Sequence, residues 1–151
     1  MSIKVTILEV RQAYRALRRI NEEARLLWES AWETSKVLNK QRPLVLNFEE
    51  TQAKLFRDAG AVPADGGLKL EDPVRGEDEP GEDFSARMAE YREKARALDE
   101  AIREMNALVV EVDCAPLPLR YFKDEGNVKP EKRKLYSGND LADAAPFLEK
   151  E

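Results

Sequence analysis

Residues 30–60 constrain this chain more than any other stretch. Ala31, Trp32, Leu38, Val45, Phe48, Leu55 and Phe56 recur at helical spacing, an amphipathic run far longer than an average helix. Such a stripe needs a partner of similar length, and residues 84–108 offer one through Met88, Tyr91, Ala95, Leu98, Ile102 and Met105. Two long stripes with a connection between them predict an antiparallel helical hairpin. Pro43 sits inside the first stripe, where it removes a backbone donor and crowds the carbonyl four residues back, so a kink or a split near Gln41 is expected. Ser30 and Glu33 have capping-box spacing, which predicts a helix start at Ala31, a preceding turn over residues 25–28, and Gly60 as the C-terminal cap.

The remainder adds a little β-structure. Residues 2–7 alternate polar and apolar and read as a short strand. Thr6 and Glu9 then form a second capping-box pair before a helix whose stripe is Val10, Ala13, Tyr14, Leu17 and Ile20. Residues 109–113 are β-branched and alternating, so they can pair with residues 2–6. Pro116 and Pro118 hold the following segment extended, residues 119–122 suggest a helical turn, and residues 141–144 a short terminal helix. The expected fold class is α+β, mainly α: a long kinked antiparallel helical hairpin with a small two- or three-stranded sheet and a short C-terminal helix. At 151 residues the length predicts a single domain, 1–151. Within it, residues 61–83 read as an acidic Pro/Gly-rich loop or loose hairpin around Leu68-Lys69-Leu70, and residues 123–136 as a basic, flexible segment.

Charge and residue usage exclude several functions. Charged residues make up 36% of the chain, and no apolar run approaches the roughly 20 residues of a membrane span. The N-terminus alternates instead of presenting a basic start and an apolar block, so a cytoplasmic location is the expectation. Cys114 is the chain's one cysteine, and no internal disulfide can form. The absence of histidine removes Ser-His-Asp and Cys-His catalysis and His-ligated metals, so no cofactor or metal is expected and any cation would need carboxylates alone. Residues 61–83 carry eight acidic residues against Lys69 and Arg75, which leaves the rest of the chain near neutral and argues against a general nucleic-acid coat.

Two groups of residues remain as binding candidates. Arg11, Arg15 and Arg18 line one face of the first helix; they are either a solvated face balanced by Glu22 and Glu23, or forked donors for phosphate. Arg120, Tyr121, Phe122, Lys132, Arg133 and Tyr136 combine cations with rings able to stack on a base, so with the arginine row they form the candidate site for an anionic ligand. Trp28 and Trp32, one helical turn apart, are core residues or partner-binding anchors. Carboxylate pairs such as Glu49/Glu50 and Glu111/Asp113 do not form a recognised acid/base constellation, so the chain is expected to be non-catalytic.

Tyr14, Phe48-Glu49-Glu50 followed by Leu55 and Gly60, Val110-Glu111-Val112-Asp113, and Ser137-Gly138-Asn139-Asp140-Leu141 with Pro146-Phe147-Leu148 together form a pattern. It resembles that of a broad class of small tailed-bacteriophage proteins, mostly of unassigned function, with a helical hairpin, a Glu/Val strand and a short C-terminal helix. The resemblance implies a viral accessory protein in the host bacterial cytoplasm, acting in host takeover, counter-defence or virion assembly, and it carries over no catalytic residue. One expectation is a homo-oligomeric sponge that sequesters a small anionic ligand such as a nucleotide immune signal. The other is an inhibitor or adaptor that binds a host protein through Trp28 and Trp32, or an assembly factor.

Overall fold

A computed structural model of the chain describes residues 1–23, 26–123 and 138–150. The chain divides into two compact units, residues 1–47 with 107–151 and residues 48–106.

In the first unit the N-terminal strand β1 (Ile3–Thr6) runs directly into helix α1 (Ile7–Glu23). The capping box forms as its spacing predicts: the Thr6 amide donates to Glu9 Oε1 at 2.9 Å and the Glu9 amide donates to Thr6 Oγ1 at 3.2 Å. Both satisfy donors that a helix start otherwise leaves open, so Thr6→Ala is expected to cost about 1 kcal/mol, read as a lower denaturation midpoint. Val10, Ala13, Leu17 and Ile20 are completely buried, whereas Tyr14 is only partly covered. Strand β4 (Val109–Val112) pairs antiparallel with β1, placing Ile3 opposite Val112 and Val5 opposite Val110. Alternation therefore turns Val5 and Val112 onto the core and leaves Lys4 and Glu111, 4.0 Å apart, on the outside.

After β4 the chain stays extended through its prolines. The Leu117 amide donates to the Phe147 carbonyl at 2.8 Å and the Glu149 amide to the Leu117 carbonyl at 2.9 Å. Helix α4 (Arg120–Lys123) then turns Tyr121 and Phe122 inward. Helix α5 (Gly138–Ala144) packs on α1, where Arg19 reaches the buried Asp140 carboxylate at 2.8 Å. The following 3₁₀ turn, Ala145–Phe147, drives Phe147 into the core.

Helix α2 (Trp28–Asp58) corrects three expectations. It begins before Ser30, since the Ala31 amide already bonds the Leu27 carbonyl at 2.9 Å, and Ser30 is a buried helical residue whose carbonyl accepts from Thr34 Oγ1 at 2.7 Å. It is not split at Pro43. The ring sits on the exposed side of the helix, as does Asn39, whose carbonyl it deprives of a helical donor. Its buried stripe is Ser30, Thr34, Val37, Gln41, Val45 and Phe48, and Trp32 is not part of it.

In the second unit α2 ends at a Schellman cap: the Ala61 amide bonds the Phe56 carbonyl at 2.9 Å, the Gly60 amide bonds Arg57 at 3.0 Å, and Gly60 takes φ 87°. Strands β2 (Val62–Ala64) and β3 (Gly67–Lys69) form the hairpin expected near Leu68. Asp65 and Gly66 both have positive φ, as a tight two-residue turn requires. Helix α3 (Gly81–Ala107) starts earlier than Asp83, because the Asp83 and Phe84 amides both reach the Pro80 carbonyl. Glu90 with Lys94 and Asp99 with Arg103, each four residues apart, form surface pairs at 3.6 and 3.1 Å. Exposed pairs of this kind add little stability.

Candidate functional site

Helical geometry turns α2 into a two-faced element. With 3.6 residues per turn, Ser30, Thr34, Val37, Gln41 and Val45 share the core side, while Trp28, Trp32, Asn39 and Leu46 fall on the opposite one, with half-buried Ser35 and exposed Arg42 at its edge toward α1, where they meet Asn21 and Tyr14. Trp28 is 80% exposed, Trp32 62% and Leu46 49%. Three residues with large apolar side chains thus face outward on a helix whose inward side buries a serine, a threonine and a glutamine. Charged residues flank the outer face in sequence order, Glu29 and Glu33 and then Lys36 and Lys40, with Lys36 and Glu33 3.1 Å apart. The tryptophans named from the sequence are therefore surface residues and not core. Leu46 was not legible as their neighbour, because its place outside the core appears only once the inward stripe is known.

Among the described residues expected to hold an anion, most are engaged within the chain or buried. Arg18 donates to Glu22 at 3.0 Å, a contact that pushes the guanidinium pKa further up. Arg11 is partly buried and engaged, and Arg15 is exposed. The Arg120 guanidinium lies 5.5 Å from the centre of the Tyr121 ring. Tyr121 is 7% exposed and Phe122 3%, so the proposed stacking rings are core side chains. Lys132, Arg133 and Tyr136, like Arg25, lie outside the described residues.

Two of the clefts among the described residues hold candidate polar groups. One of about 300 Å³, within the second unit, is lined in part by Gly60, Pro73, Arg87, Tyr91 and Lys94. Its polar groups are engaged within the chain: Arg87 binds Glu79 at 2.6 Å, and the Tyr91 phenol donates to Asp72, which pushes its pKa up. The other, about 230 Å³, lies in the first unit between Glu33, Lys36 and Lys40 of α2 and Cys114, Pro116 and Pro118. Burial and the neighbouring Asp113 carboxylate push the Cys114 thiol pKa up, against a smaller opposite pull from Lys40. Thiolate is then scarce at neutral pH, so Cys114 is expected to alkylate more slowly than an exposed cysteine, with the rate still climbing above pH 9. A rate matching that of a denatured control would contradict this burial.

Among the described residues, no group of three or more carboxylate, thiol or imidazole side chains is arranged to hold a metal, and no helix is long and apolar enough to cross a membrane. In comparisons with known proteins, no family model matches the chain, and no curated protein or solved structure matches it.

Proposed function

We propose that this is a non-catalytic protein whose role is to bind another protein chain, and that the outer face of α2 is the interface. The observation that carries this reading is the exposure of Trp28 and Trp32 one turn apart, on the side of the helix away from the core. Tryptophan is the residue most enriched in energetically dominant interface positions, and leaving two of them in water is costly unless something covers them. The chain's lack of histidine fits a binding role. In the setting that the resemblance to small tailed-phage proteins suggests, the protein would act in the bacterial cytoplasm, on host takeover, counter-defence or virion assembly. Sequestration of an anionic nucleotide draws less support, since Arg18 is paired and Tyr121 and Phe122 are buried.

The test is capture of partners from bacterial lysate, identified by mass spectrometry, with wild-type protein and a Trp28→Ala/Trp32→Ala variant. Both substitutions are on the surface, so the helical circular dichroism should be unchanged. The variant is expected to lose the partners that the wild type retains. Equal recovery by both proteins would overturn the assignment of this face.

A further inference from the structure

The reading above identifies a face without its occupant. We infer that the outer face of α2 binds the same face of a second copy of this chain, with the two helices antiparallel and the twofold axis level with Val37. The inference rests on the reading of that face as a protein interface and goes further by naming the partner.

Trp28, Trp32, Ser35, Asn39, Arg42 and Leu46 are spaced so that an antiparallel copy centred on Val37 puts Trp28 against Leu46, Trp32 against Arg42 and Ser35 against Asn39. Each pair is chemically matched. An indole meets an aliphatic side chain, a second indole meets a guanidinium able to lie on its face, and two small polar residues meet at the centre. Arg42 is already steadied by donating to the Tyr14 hydroxyl at 3.4 Å, and Ser35 accepts from Asn21 at 3.2 Å while keeping its own proton to donate. Pro43 adds an acceptor at the same place: it leaves the Asn39 carbonyl without its helical donor, within the central pair.

The flanking charges select the same arrangement. Glu33 of one copy falls beside Lys40 of the other, because the acidic residues precede the basic ones along the helix. A parallel, in-register pair would set Arg42 beside Arg42 and keep the acidic flanks level with each other, so it is disfavoured. The tryptophans alone go halfway to the area a specific pair needs. At roughly 150 Å² each, the four tryptophans of a dimer supply about 600 Å², half of the ~1,200 Å² at which specific interfaces begin, before Leu46 or the flanks are counted.

The experiment uses a property of this composition. Trp28 and Trp32 are the chain's two tryptophans, so intrinsic fluorescence reports on this face alone. Sedimentation velocity and emission spectra of the full chain, up to about 100 µM, are expected to show the mass doubling as the emission shifts to the blue. Glu33→Lys and Lys40→Glu should each raise the dissociation constant about tenfold, and the double variant should return it to near the wild-type value, as a charge pair across the interface requires. A double variant no better than either single one would overturn the antiparallel register. A monomer with the emission of hydrated indole at every concentration would overturn self-association. In that case, lysate capture that still depends on the tryptophans leaves the interface reading standing with a different partner. Capture that ignores them removes both.

Discussion

Phe147→Ala is expected to destabilise the chain by about 3–5 kcal/mol, the range for deleting a buried aromatic ring. Phe147 has no exposed surface and leads the fully buried side chains in size. It belongs to the same apolar cluster as Val5, Val10, Leu17 and Val112, so its ring helps close the core formed by α1 and the β1–β4 ribbon. The surroundings have little freedom to collapse into the space it would leave. The Phe147 carbonyl is fixed by the Leu117 amide, Leu148 and Glu149 are bonded in turn, and α5 is tied to α1 through Arg19 and Asp140. The upper half of the range follows from that rigidity. Urea denaturation followed by circular dichroism is the suitable measurement, since both tryptophans are on the surface and report poorly on the core. The midpoint should fall with the slope unchanged. Phe147→Leu, which keeps most of the volume, should cost less than half as much. A loss below about 1 kcal/mol for the alanine variant would mean that the C-terminal segment does not seal the core.

The elements legible in the sequence are those whose signals are local. Thr6 and Glu9 specify a helix start because both partners of the capping box lie within four residues, and Gly60 specifies a helix end because its positive φ suits glycine. The β1–β4 pairing was also legible, since alternation gives each strand one apolar face, and pairing them turns Val5 and Val112 onto the core; the register was not. What failed was the choice of face on α2. Helical period decides which residues share a side, but which side turns inward depends on what α1 and the C-terminal segment present to it. Hydrophobicity pointed Trp32 inward, whereas the core accepts Ser30, Thr34 and Gln41. Tyr121 and Phe122 failed for a related reason. Neighbouring residues on a helix point about 100° apart, which suggests that one of them faces water, yet a four-residue helix covered on more than one side buries both. The candidate interface was therefore half visible. Its tryptophans could be named, but their outward direction and the place of Leu46 on the same face could not.

Gln41→Met is expected to raise stability by about 1–2 kcal/mol, an unusual sign for a core substitution. Gln41 is wholly buried on the inward stripe of α2 between Val37 and Val45, and neither its Nε2 nor its Oε1 has a hydrogen-bond partner. Moving an amide out of water without replacing its hydrogen bonds costs about 1–3 kcal/mol on protein scales. Methionine has nearly the same length and volume, carries no strong donor or acceptor, and adapts to the space the glutamine leaves, so the substitution removes the penalty and keeps the packing. Gln41→Ala removes the same penalty but opens a cavity, and the two terms should nearly cancel or end in a net loss. The expected order of denaturation midpoints is Gln41→Met, then wild type, then Gln41→Ala. A fall in the methionine variant would show that the amide finds a partner in solution. A rise would show that the chain tolerates a stability deficit in the middle of α2, beneath the outer face that carries Arg42 and Leu46. Polar residues at such positions restrict which helix faces can pair, because an alternative packing would have to bury the same amide without gaining a partner for it. On a helix with apolar side chains on two sides, that restriction separates the face that belongs to the core from the face left exposed.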